Sequence, residues 1–394
     1  MEMGQRRPQP WRARLADSAV PQVLAIVIGL RVALGVIGWA SLQMFPPSVQ
    51  SGNWLELQLS RRNPLWAFVS PWERWDALWY HHVAVAGYGQ HAPDAAFFPL
   101  YPFLMRVGGE AMRGYYALSG LVVSTIAFVV ALLLLHHLVR MHFDRAVADR
   151  TILYIAIAPS SFFFLAPYTE ALFLALSVGC FIAMYKRMWV VAGCVAGLAT
   201  LCRSTGILLM APLLVAVARD VLQRHREHQP LLQTGYLALL VPPVAIVGWF
   251  YETAAVLHVK GGFWGAESTW ANRLVTPWYA LGDSWHALMS GHHPEEAYNL
   301  VYVVLFIVAL VFMARRVPWE YSVYAVFTIP VVLVREAYVT PLASTARYLT
   351  VVFPLFVFLA LLARRQWLHR AVTVSFLPLM TLLFMFYVHY GFAG

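Results

Sequence analysis

Residues 72–102, WERWDALWYHHVAVAGYGQHAPDAAFFPLYP, decide how the fold is interpreted, because they interrupt a chain that otherwise consists mostly of long apolar runs. The stretch combines Asp76 with three histidines, three tryptophans and a closing Phe-Phe-Pro-Leu-Tyr-Pro. In a protein built largely of lipid-facing helices, polar and ionisable residues are costly and mark functional positions. We therefore place Asp76 at the centre of a candidate site.

The composition indicates a polytopic membrane protein. Of the 394 residues, 60% are hydrophobic and only 12% are charged, with a mean hydropathy of +0.64, well outside the range of soluble domains. The net charge of +9 requires no nucleic acid, because the basic residues concentrate in short loops. The three cysteines lie in apolar runs and indicate small core residues. No phosphate-binding glycine loop is present, so we expect no nucleotide-driven activity.

The apolar runs predict about eleven transmembrane helices in one integral domain, residues 1–394, because crossing the hydrocarbon core takes about 20 apolar residues. The predicted spans are 20–42, 115–139, 151–167, 169–185, 188–202, 205–218, 232–256, 300–314, 319–334, 346–363 and 371–391.

The distribution of charge predicts the orientation. With a cytoplasmic N-terminus, the inside segments carry 17 of the 28 Lys and Arg residues and the outside segments carry ten. The basic residues 1–14 favour a cytoplasmic flank over a cleaved signal peptide. Two outer segments, 43–114 and 257–299, are long enough to build a site and are rich in Trp, His and Pro. Such segments are typical of the membrane interface, so we expect interfacial helices in the first.

Two interpretations of Asp76 are equally supported by composition. A carboxylate held against the indole rings of Trp75 and Trp79 is partly desolvated, which makes it a better general base for a hydroxyl. Alternatively, Asp76 forms a structural ion pair with Arg74 or Arg106. His81 and His82 do not favour a metal site, because adjacent residues of a helix point in different directions; a neutral hydrogen-bonding or interfacial role is the better interpretation.

Arginines near the outer ends of the spans are candidates for binding phosphate, because a guanidinium can donate two hydrogen bonds to phosphate oxygens. These are Arg203, Arg335 and Arg347. The alternative is that they extend to the interface or pair with Glu170 and Glu336, which is at least as well supported for each one.

Arg31 lies inside the first span, where we expect a partner helix to neutralise it or its side chain to extend inward to the interface. Proline-containing segments 95–102 and 166–173 predict elbows at membrane depth, and such breaks are tolerated where they line a cavity.

Three blocks of sequence resemble the PIG-V family of membrane mannosyltransferases, which add the second mannose in GPI-anchor assembly, and their bacterial relatives. The blocks are WDALWYHHVAVAGY (75–88) with AFFPLYPFL (96–104), then APSSFFFLAPYTEALFLALS (158–177), then LATLCRSTGILL (198–209). Ala158, Thr169 and Thr205 depart from the family's usual Asn, Ser and Asn. These departures concern the acceptor more than the chemistry.

The resemblance implies a GT-C-type helical bundle with its active site on the non-cytoplasmic side. Such an enzyme would transfer mannose, with inversion, from a polyprenyl-phosphate donor to a lipid or glycolipid hydroxyl. Asp76 would then be the base, and Arg203 and Arg347 would bind the donor phosphate. Residues expected to contact the substrates are Trp75, Trp79, Tyr80, His81, Tyr88, Phe97, Phe98, Tyr101, Glu170 and Tyr348. No cofactor or metal is expected.

We expect an integral protein of a bacterial plasma membrane, surrounded by lipid and without a nucleic-acid partner. A lipid or glycolipid transporter is the alternative function. It would predict charges near the bilayer midplane and two related halves of the sequence, whereas here the polar residues gather at one face and no repeat is evident. A non-catalytic membrane subunit is a third alternative, with no specific sequence feature in its favour.

Overall fold

The computed structural model describes residues 18–45, 65–269, 272–291, 293, 296–337 and 340–391. The basic N-terminal flank, 1–14, and residues 46–64 of the first outer segment lie outside them.

Most of the described chain is helical. The α-helices, in chain order, are α1 Val20–Met44, α2 Trp66–Val69, α3 Asp76–Ala86, α4 Leu100–Ala111, α5 Tyr116–Arg140, α6 Arg145–Ile157, α7 Glu170–Tyr185, α8 Trp189–Cys202, α9 Met210–Arg226, α10 Val241–Tyr251, α11 Gly262–Ser268, α12 Pro277–Met289, α13 Glu296–Met313, α14 Trp319–Leu333, α15 Thr345–Thr350, α16 Phe353–Leu362 and α17 Gln366–Val388.

Short irregular helices and one small sheet complete the fold. The 3-10 helices are Ala92–Ala96, Ser161–Phe164, Ser204–Leu209 and Thr234–Leu240, and a π-helix covers Glu252–Val256. Strands β1 (Asn272–Leu274) and β2 (Arg335–Ala337) pair antiparallel, with residue 273 opposite residue 336. The predicted all-α class is confirmed, with this two-stranded ribbon as an addition.

Six helical stretches in the described part of the chain are long and apolar enough to cross a membrane. They are α1, α5, Ser204–Arg226, Thr234–Val256, α13 and α17. Four shorter apolar helices accompany them, namely α7, α8, α14 and α16. A polytopic membrane protein is therefore confirmed, and ten of the eleven predicted spans contain one of these apolar helices.

The predicted span 151–167 is wrong as a continuous helix. Helix α6 ends at Ile157, and Ala158 adopts φ −56° and ψ 151°. A residue that precedes proline is pushed out of the α conformation, and Pro159 follows here. The chain then continues through the 3-10 turn Ser161–Phe164 to α7. This break lies against the candidate site.

The predicted span 346–363 is also divided. Helix α15 ends at Thr350, and α16 begins at Phe353 with Pro354 in its first turn, a position where proline is tolerated.

Helix α7 is buried along most of its length. Its first residue, Glu170, is therefore placed inside the protein.

Candidate active site

Four charged side chains from distant parts of the sequence form an alternating chain of carboxylates and guanidiniums. Arg347 Nη1 donates to Asp76 Oδ2 at 2.8 Å, and Arg347 Nε lies 3.4 Å from Glu170 Oε1. Arg203 Nη1 donates to the same Glu170 oxygen at 2.7 Å. We call these four residues the Asp76 cluster. Two positive and two negative charges make it formally neutral.

Helix ends position each member of the Asp76 cluster. Asp76 is the first residue of α3 and Glu170 is the first residue of α7. A carboxylate is favoured at a helix N-terminus by the helix dipole. Arg203 directly follows the last residue of α8 with an extended backbone, and Arg347 lies in the short helix α15.

The four side chains differ in exposure. The side chains of Glu170, Arg347 and Arg203 are 3%, 7% and 11% exposed, whereas that of Asp76 is 31% exposed. The guanidiniums are therefore largely enclosed, and Asp76 is the member that can be reached from outside. This arrangement suits a group that exchanges a proton with a substrate.

Aromatic rings surround the two guanidiniums. The Arg347 guanidinium carbon lies 5.2, 5.1 and 4.9 Å from the ring centres of Phe163, Tyr168 and Tyr348. The Arg203 carbon lies 4.6 Å from the Tyr348 ring. Arg347 Nη2 also donates to the Tyr348 hydroxyl at 3.0 Å. Cation–π contacts of this kind stabilise desolvated guanidiniums.

The loop before Asp76 is held by hydrogen bonds to its carbonyl groups. Tyr387 donates to Trp72 O at 2.7 Å, and Tyr168 donates to Arg74 O at 3.0 Å. Arg74 Nε donates to Val388 O at 2.7 Å. These contacts hold the backbone just before Trp75, whose φ of 54° is uncommon for a bulky residue. The end of α17 and the segment before α7 therefore fix where α3 begins.

The ion pair of Asp76 differs from the two that the sequence suggested. The Arg74 side chain donates hydrogen bonds to backbone carbonyls, and Arg106 pairs with the exposed Glu110 at 3.2 Å. Asp76 instead pairs with Arg347, 271 residues away, a contact that no local spacing signals. The alternative given for Arg203, pairing with Glu170, is present. The side chain of Arg335 lies outside the described part.

Several predicted substrate-binding aromatics lie together beside α3. Trp79 stacks on Phe97 with ring centres 5.9 Å apart, and Tyr80 packs edge-on against Phe97 and Tyr101. Tyr101 is fully buried, and its hydroxyl donates to Gly120 O. Trp75 is 38% exposed and Trp79 is half-buried, so the two tryptophans are better placed to meet a ligand than the buried Tyr80 and Tyr101.

Tyr88, Phe98 and His81 occupy other surroundings. Tyr88 and Phe98 form a separate aromatic cluster with Trp249 and Phe263. The His81 ring nitrogen Nδ1 lies 2.6 Å from Glu73 Oε1, and both side chains are buried. His81 therefore makes a hydrogen bond, as the sequence favoured.

A second polar group lies in the same outer segment. The Asp94 side chain is fully buried and accepts the backbone N–H of His91 at 2.9 Å, and His82 Nε2 lies 3.7 Å from its other oxygen. Burial raises the pKa of the Asp94 carboxyl above its ordinary value and lowers the pKa of His82. No group of three metal-ligating side chains close enough to hold an ion occurs among the residues the structure describes.

Arg31 donates hydrogen bonds to uncharged groups of partner segments. It donates to Thr125 Oγ1 at 2.5 Å and to Leu165 O at 2.6 Å, and its guanidinium lies 4.6 Å from the ring of Trp72. Leu165 lies in the break between α6 and α7, where a carbonyl lacks a helical partner. Arg31 therefore contacts a partner helix, α5, through Thr125, although the groups that accept its hydrogen bonds carry no charge.

Sequence reasoning missed Tyr168 and Tyr387 as supports of the site. Tyr168 stands two residues before Glu170 in the proline-containing segment 166–173, so its position gave a signal. Tyr387 gave none, because its role depends on the contact of α17 with a loop more than 300 residues earlier.

Comparison with known proteins tests the resemblance to a family. The sequence model of the family described as Mannosyltransferase (PIG-V) matches residues 58–239, which include Asp76, Glu170 and Arg203. The predicted resemblance is thereby confirmed: over this segment the protein carries the sequence pattern of the PIG-V mannosyltransferases.

The matched curated relatives are fungal. GPI mannosyltransferase 2 from two serotype D strains of Cryptococcus neoformans var. neoformans is 37% identical over 146 residues. The alignment covers 34% of this chain and 34% of each relative, so the match spans about a third of their length.

Solved structures align with this chain at lower identity. ArnT from Cupriavidus metallidurans, bound to undecaprenyl phosphate, aligns with a TM-score of 0.48 and 13% identity over 93% of this chain and 76% of ArnT. The oligosaccharyltransferase of Archaeoglobus fulgidus, in complex with Zn and sulfate, aligns with a TM-score of 0.44 and 14% identity over 93% of this chain and 53% of that one. Both scores lie below one half, so neither likeness assigns the fold.

Proposed function

We propose that this protein is a membrane glycosyltransferase that moves mannose from a polyprenyl-phosphate carrier to a hydroxyl of a lipid or glycolipid acceptor. The family match over 58–239 and the name of the curated relatives support a mannosyltransferase. The apolar helices are long enough to cross a membrane, where lipid-linked substrates are found. We propose a GT-C-type bundle as its architecture.

The observation that carries the proposal is the Asp76 cluster, in which a reachable carboxylate stands beside two enclosed guanidiniums. A general base and a pair of phosphate-binding groups are what transfer from a sugar phosphate requires. Asp76 supplies the base in this scheme. Arg347 and Arg203 supply hydrogen bonds to the departing phosphate.

The reaction in this scheme is a single displacement. The acceptor oxygen forms a bond to the anomeric carbon, and the bond from that carbon to the phosphate oxygen breaks on the opposite face, so the configuration inverts. The hydroxyl proton moves to Asp76, and the electron pair of the broken bond leaves with polyprenyl phosphate. The developing charge on the phosphate is stabilised by Arg347 and Arg203. No step uses a metal ion or a cofactor.

The charge balance suggests how donor and base are coupled. The Asp76 cluster is neutral as it stands, so the added charge of a donor phosphate would compete with Asp76 for the N–H groups of Arg347. Arg347 contacts Oδ2 of Asp76, which leaves the other carboxylate oxygen for an acceptor hydroxyl. In this proposal, donor binding draws Arg347 towards the phosphate and frees the base.

The partly exposed rings of Trp75 and Trp79 would stack on the sugar, and Tyr348 would orient the donor beside Arg347. The lipid chain would lie near the elbow 95–102. We place the reaction on the non-cytoplasmic face of a bacterial plasma membrane. The choice of face follows from the bias of Lys and Arg residues, which puts the segment 43–114, with Asp76, outside.

The test is sugar transfer by the purified protein in detergent, from radiolabelled polyprenyl-phosphate mannose to a panel of glycolipid acceptors. Asp76→Asn should lower the rate per folded molecule by roughly two to four powers of ten. Glu110→Gln, which changes an exposed carboxylate of the same outer segment, is the matched control and should retain the wild-type rate.

The outcomes separate the alternatives. Full activity in Asp76→Asn would exclude Asp76 as the base and direct attention to Glu170. No transfer by the wild-type protein to any acceptor would count against the glycosyltransferase, and a lipid-flipping assay on the same preparation would then test the transporter.

A further inference from the structure

Helix α12 exposes an apolar aromatic face that the active site does not use. Trp278, Trp285 and Met289 are 74%, 54% and 60% exposed. Their spacing of seven and four residues places them on one side of a helix. A face of two exposed tryptophans and a methionine is unfavourable in water, so something covers it in the working protein.

The opposite face of α12 is fixed to the protein. Ala280 and Ser284 are fully buried, and Ser284 donates to Glu296 Oε2 at 2.5 Å. The other oxygen of Glu296 accepts the backbone N–H of Leu342 at 3.4 Å. The orientation of the exposed face is therefore set by contacts on the other side of the helix.

Helix α12 is also close to a lipid-facing surface. Glu296, seven residues after Met289, begins α13, one of the helices long enough to cross the membrane. Val301, Val304 and Val308 of α13 are 59%, 53% and 48% exposed, as expected of a surface in contact with acyl chains. A helix that ends a few residues before such a span lies near the membrane boundary.

We propose that α12 lies in the headgroup region of the bilayer, with Trp278, Trp285 and Met289 inserted towards the acyl chains. Indole rings prefer this region because one edge is apolar and the N–H can meet water or headgroups. The lipid that covers α13 would then also cover the exposed face of α12. This inference is independent of the reaction proposed above.

The proposed location has a structural consequence. The Ser284 to Glu296 to Leu342 hydrogen bonds connect α12 to the segment that leads into α15, five residues before Arg347. The bilayer would therefore help to hold the segment that carries Arg347.

Nitroxide labels in full-length protein test the proposal. The exposed cysteine is removed by Cys194→Ala, and the buried Cys180 and Cys202 are retained. Single cysteines are then introduced as Trp285→Cys and, independently, Met289→Cys. The labelled proteins are placed in nanodiscs of phosphatidylcholine and phosphatidylglycerol. Collision rates with oxygen, which concentrates in lipid, and with a water-soluble nickel chelate are measured by power saturation.

Two further labels serve as references for the ratio of the oxygen and nickel collision rates. Val304→Cys on α13 reports the acyl chains, and Glu227→Cys, exposed after α9, reports water. We expect the oxygen-to-nickel ratio at both α12 positions to fall between these two references. Ratios equal to that of Glu227→Cys would overturn the proposal. Low collision rates with both reagents would also overturn it, because they would mean that protein covers the face.

Discussion

The Asp76 cluster and a second charged cluster lie at opposite ends of the same long helical stretch, Ser204–Arg226. Arg203 directly precedes that stretch, whereas Asp220 lies in its last two turns and pairs with Arg187 at 3.1 Å and Arg224 at 3.0 Å. The neighbouring pair of Arg219 and Glu320 extends this second group, which we call the Asp220 cluster.

The two clusters differ in which partner is exposed. In the Asp220 cluster the carboxylates are buried, with Asp220 at 2% and Glu320 at 5%, while Arg187 and Arg219 are 49% and 57% exposed. In the Asp76 cluster Arg347 is buried and Asp76 is the exposed end. Arginines that reach water from a buried carboxylate anchor a helix end. In the proposed function, the reachable carboxylate of the Asp76 cluster acts on a substrate, and the enclosed arginines bind the donor phosphate.

Removal of one arginine from each cluster should give the largest contrast. Arg347→Ala should lower the transfer rate by about 10²–10³, the range found when one donor to a developing anion is lost. Arg219→Ala should leave the rate per folded molecule near the wild-type value, because its cluster takes no part in the chemistry. The measurement is initial transfer rate, normalised to folded protein by size-exclusion chromatography. Equal losses in the two variants would remove the functional distinction between the clusters.

The second contrast concerns stability and uses two buried carboxylates. Glu170→Gln leaves the enclosed Arg203 and Arg347 without their shared partner, and breaking a buried pair costs about 3–5 kcal/mol. Glu320→Gln releases Arg219, which water can solvate, so we expect a clearly smaller loss. Thermal unfolding in detergent, followed by tryptophan fluorescence, compares the two Tm values. A larger decrease for Glu320→Gln would show that exposure of the arginine does not set the cost.

The sequence predicted the class of fold well, because long apolar runs report directly on the helices that cross a bilayer. It failed at residues 151–167, where apolar composition continued through a backbone break. Pro159 and Pro167 marked that break, but composition over a window gave more weight to hydropathy than to proline. Hydropathy over a window also outweighed proline in the predicted span 346–363, which the structure divides just before Pro354.

The members of the Asp76 cluster were all named from the sequence, which also offered pairing of an arginine with Glu170 as an alternative, but the pairing of Asp76 with Arg347 was not predicted. Asp76 and Arg347 meet only because α15 packs near the start of α3, a contact set by tertiary structure. The local alternatives, Arg74 and Arg106, were nearer in sequence and found other partners. Residue type and position at a span end therefore identify candidates, while partners depend on packing between distant helices.

A smaller effect should come from the support of the Asp76 loop. Tyr387→Phe removes a buried hydrogen bond to Trp72 O and should cost about 1–2 kcal/mol. It should also lower kcat while KM for the donor stays unchanged, because Asp76 loses its position and the arginines keep theirs. Tyr321→Phe is the matched control: its buried hydroxyl has no hydrogen-bond partner among the described residues, so its removal should cost nothing. Unchanged kcat in Tyr387→Phe would exclude a positioning role.

The smallest expected effect concerns Asp94, a buried carboxylate that faces histidines where Asp220 faces arginines. Burial raises the pKa of Asp94 above 3.8, its ordinary value, so the folded protein holds the proton more tightly than the unfolded chain does. Its contribution to stability is then fully present below about pH 4 and is lost as the pH rises through the raised pKa. Asp94→Asn keeps an uncharged side chain at every pH. The Tm difference between Asp94→Asn and wild type should therefore be near zero at low pH and increase towards neutral pH.

The neighbouring His82 contributes with the opposite sign and must be separated. Burial lowers the pKa of His82, so its contribution is present above its ordinary value and is lost as the pH falls through the lowered one. Tm is therefore measured across pH for Asp94→Asn in both the wild-type and the His82→Gln backgrounds. A positive difference that grows with pH in both backgrounds assigns the effect to Asp94. A negative difference, in which Asp94→Asn lowers Tm, that disappears in the His82→Gln background would instead mean that Asp94 stays charged and is stabilised by the histidine, as Asp220 is by its arginines.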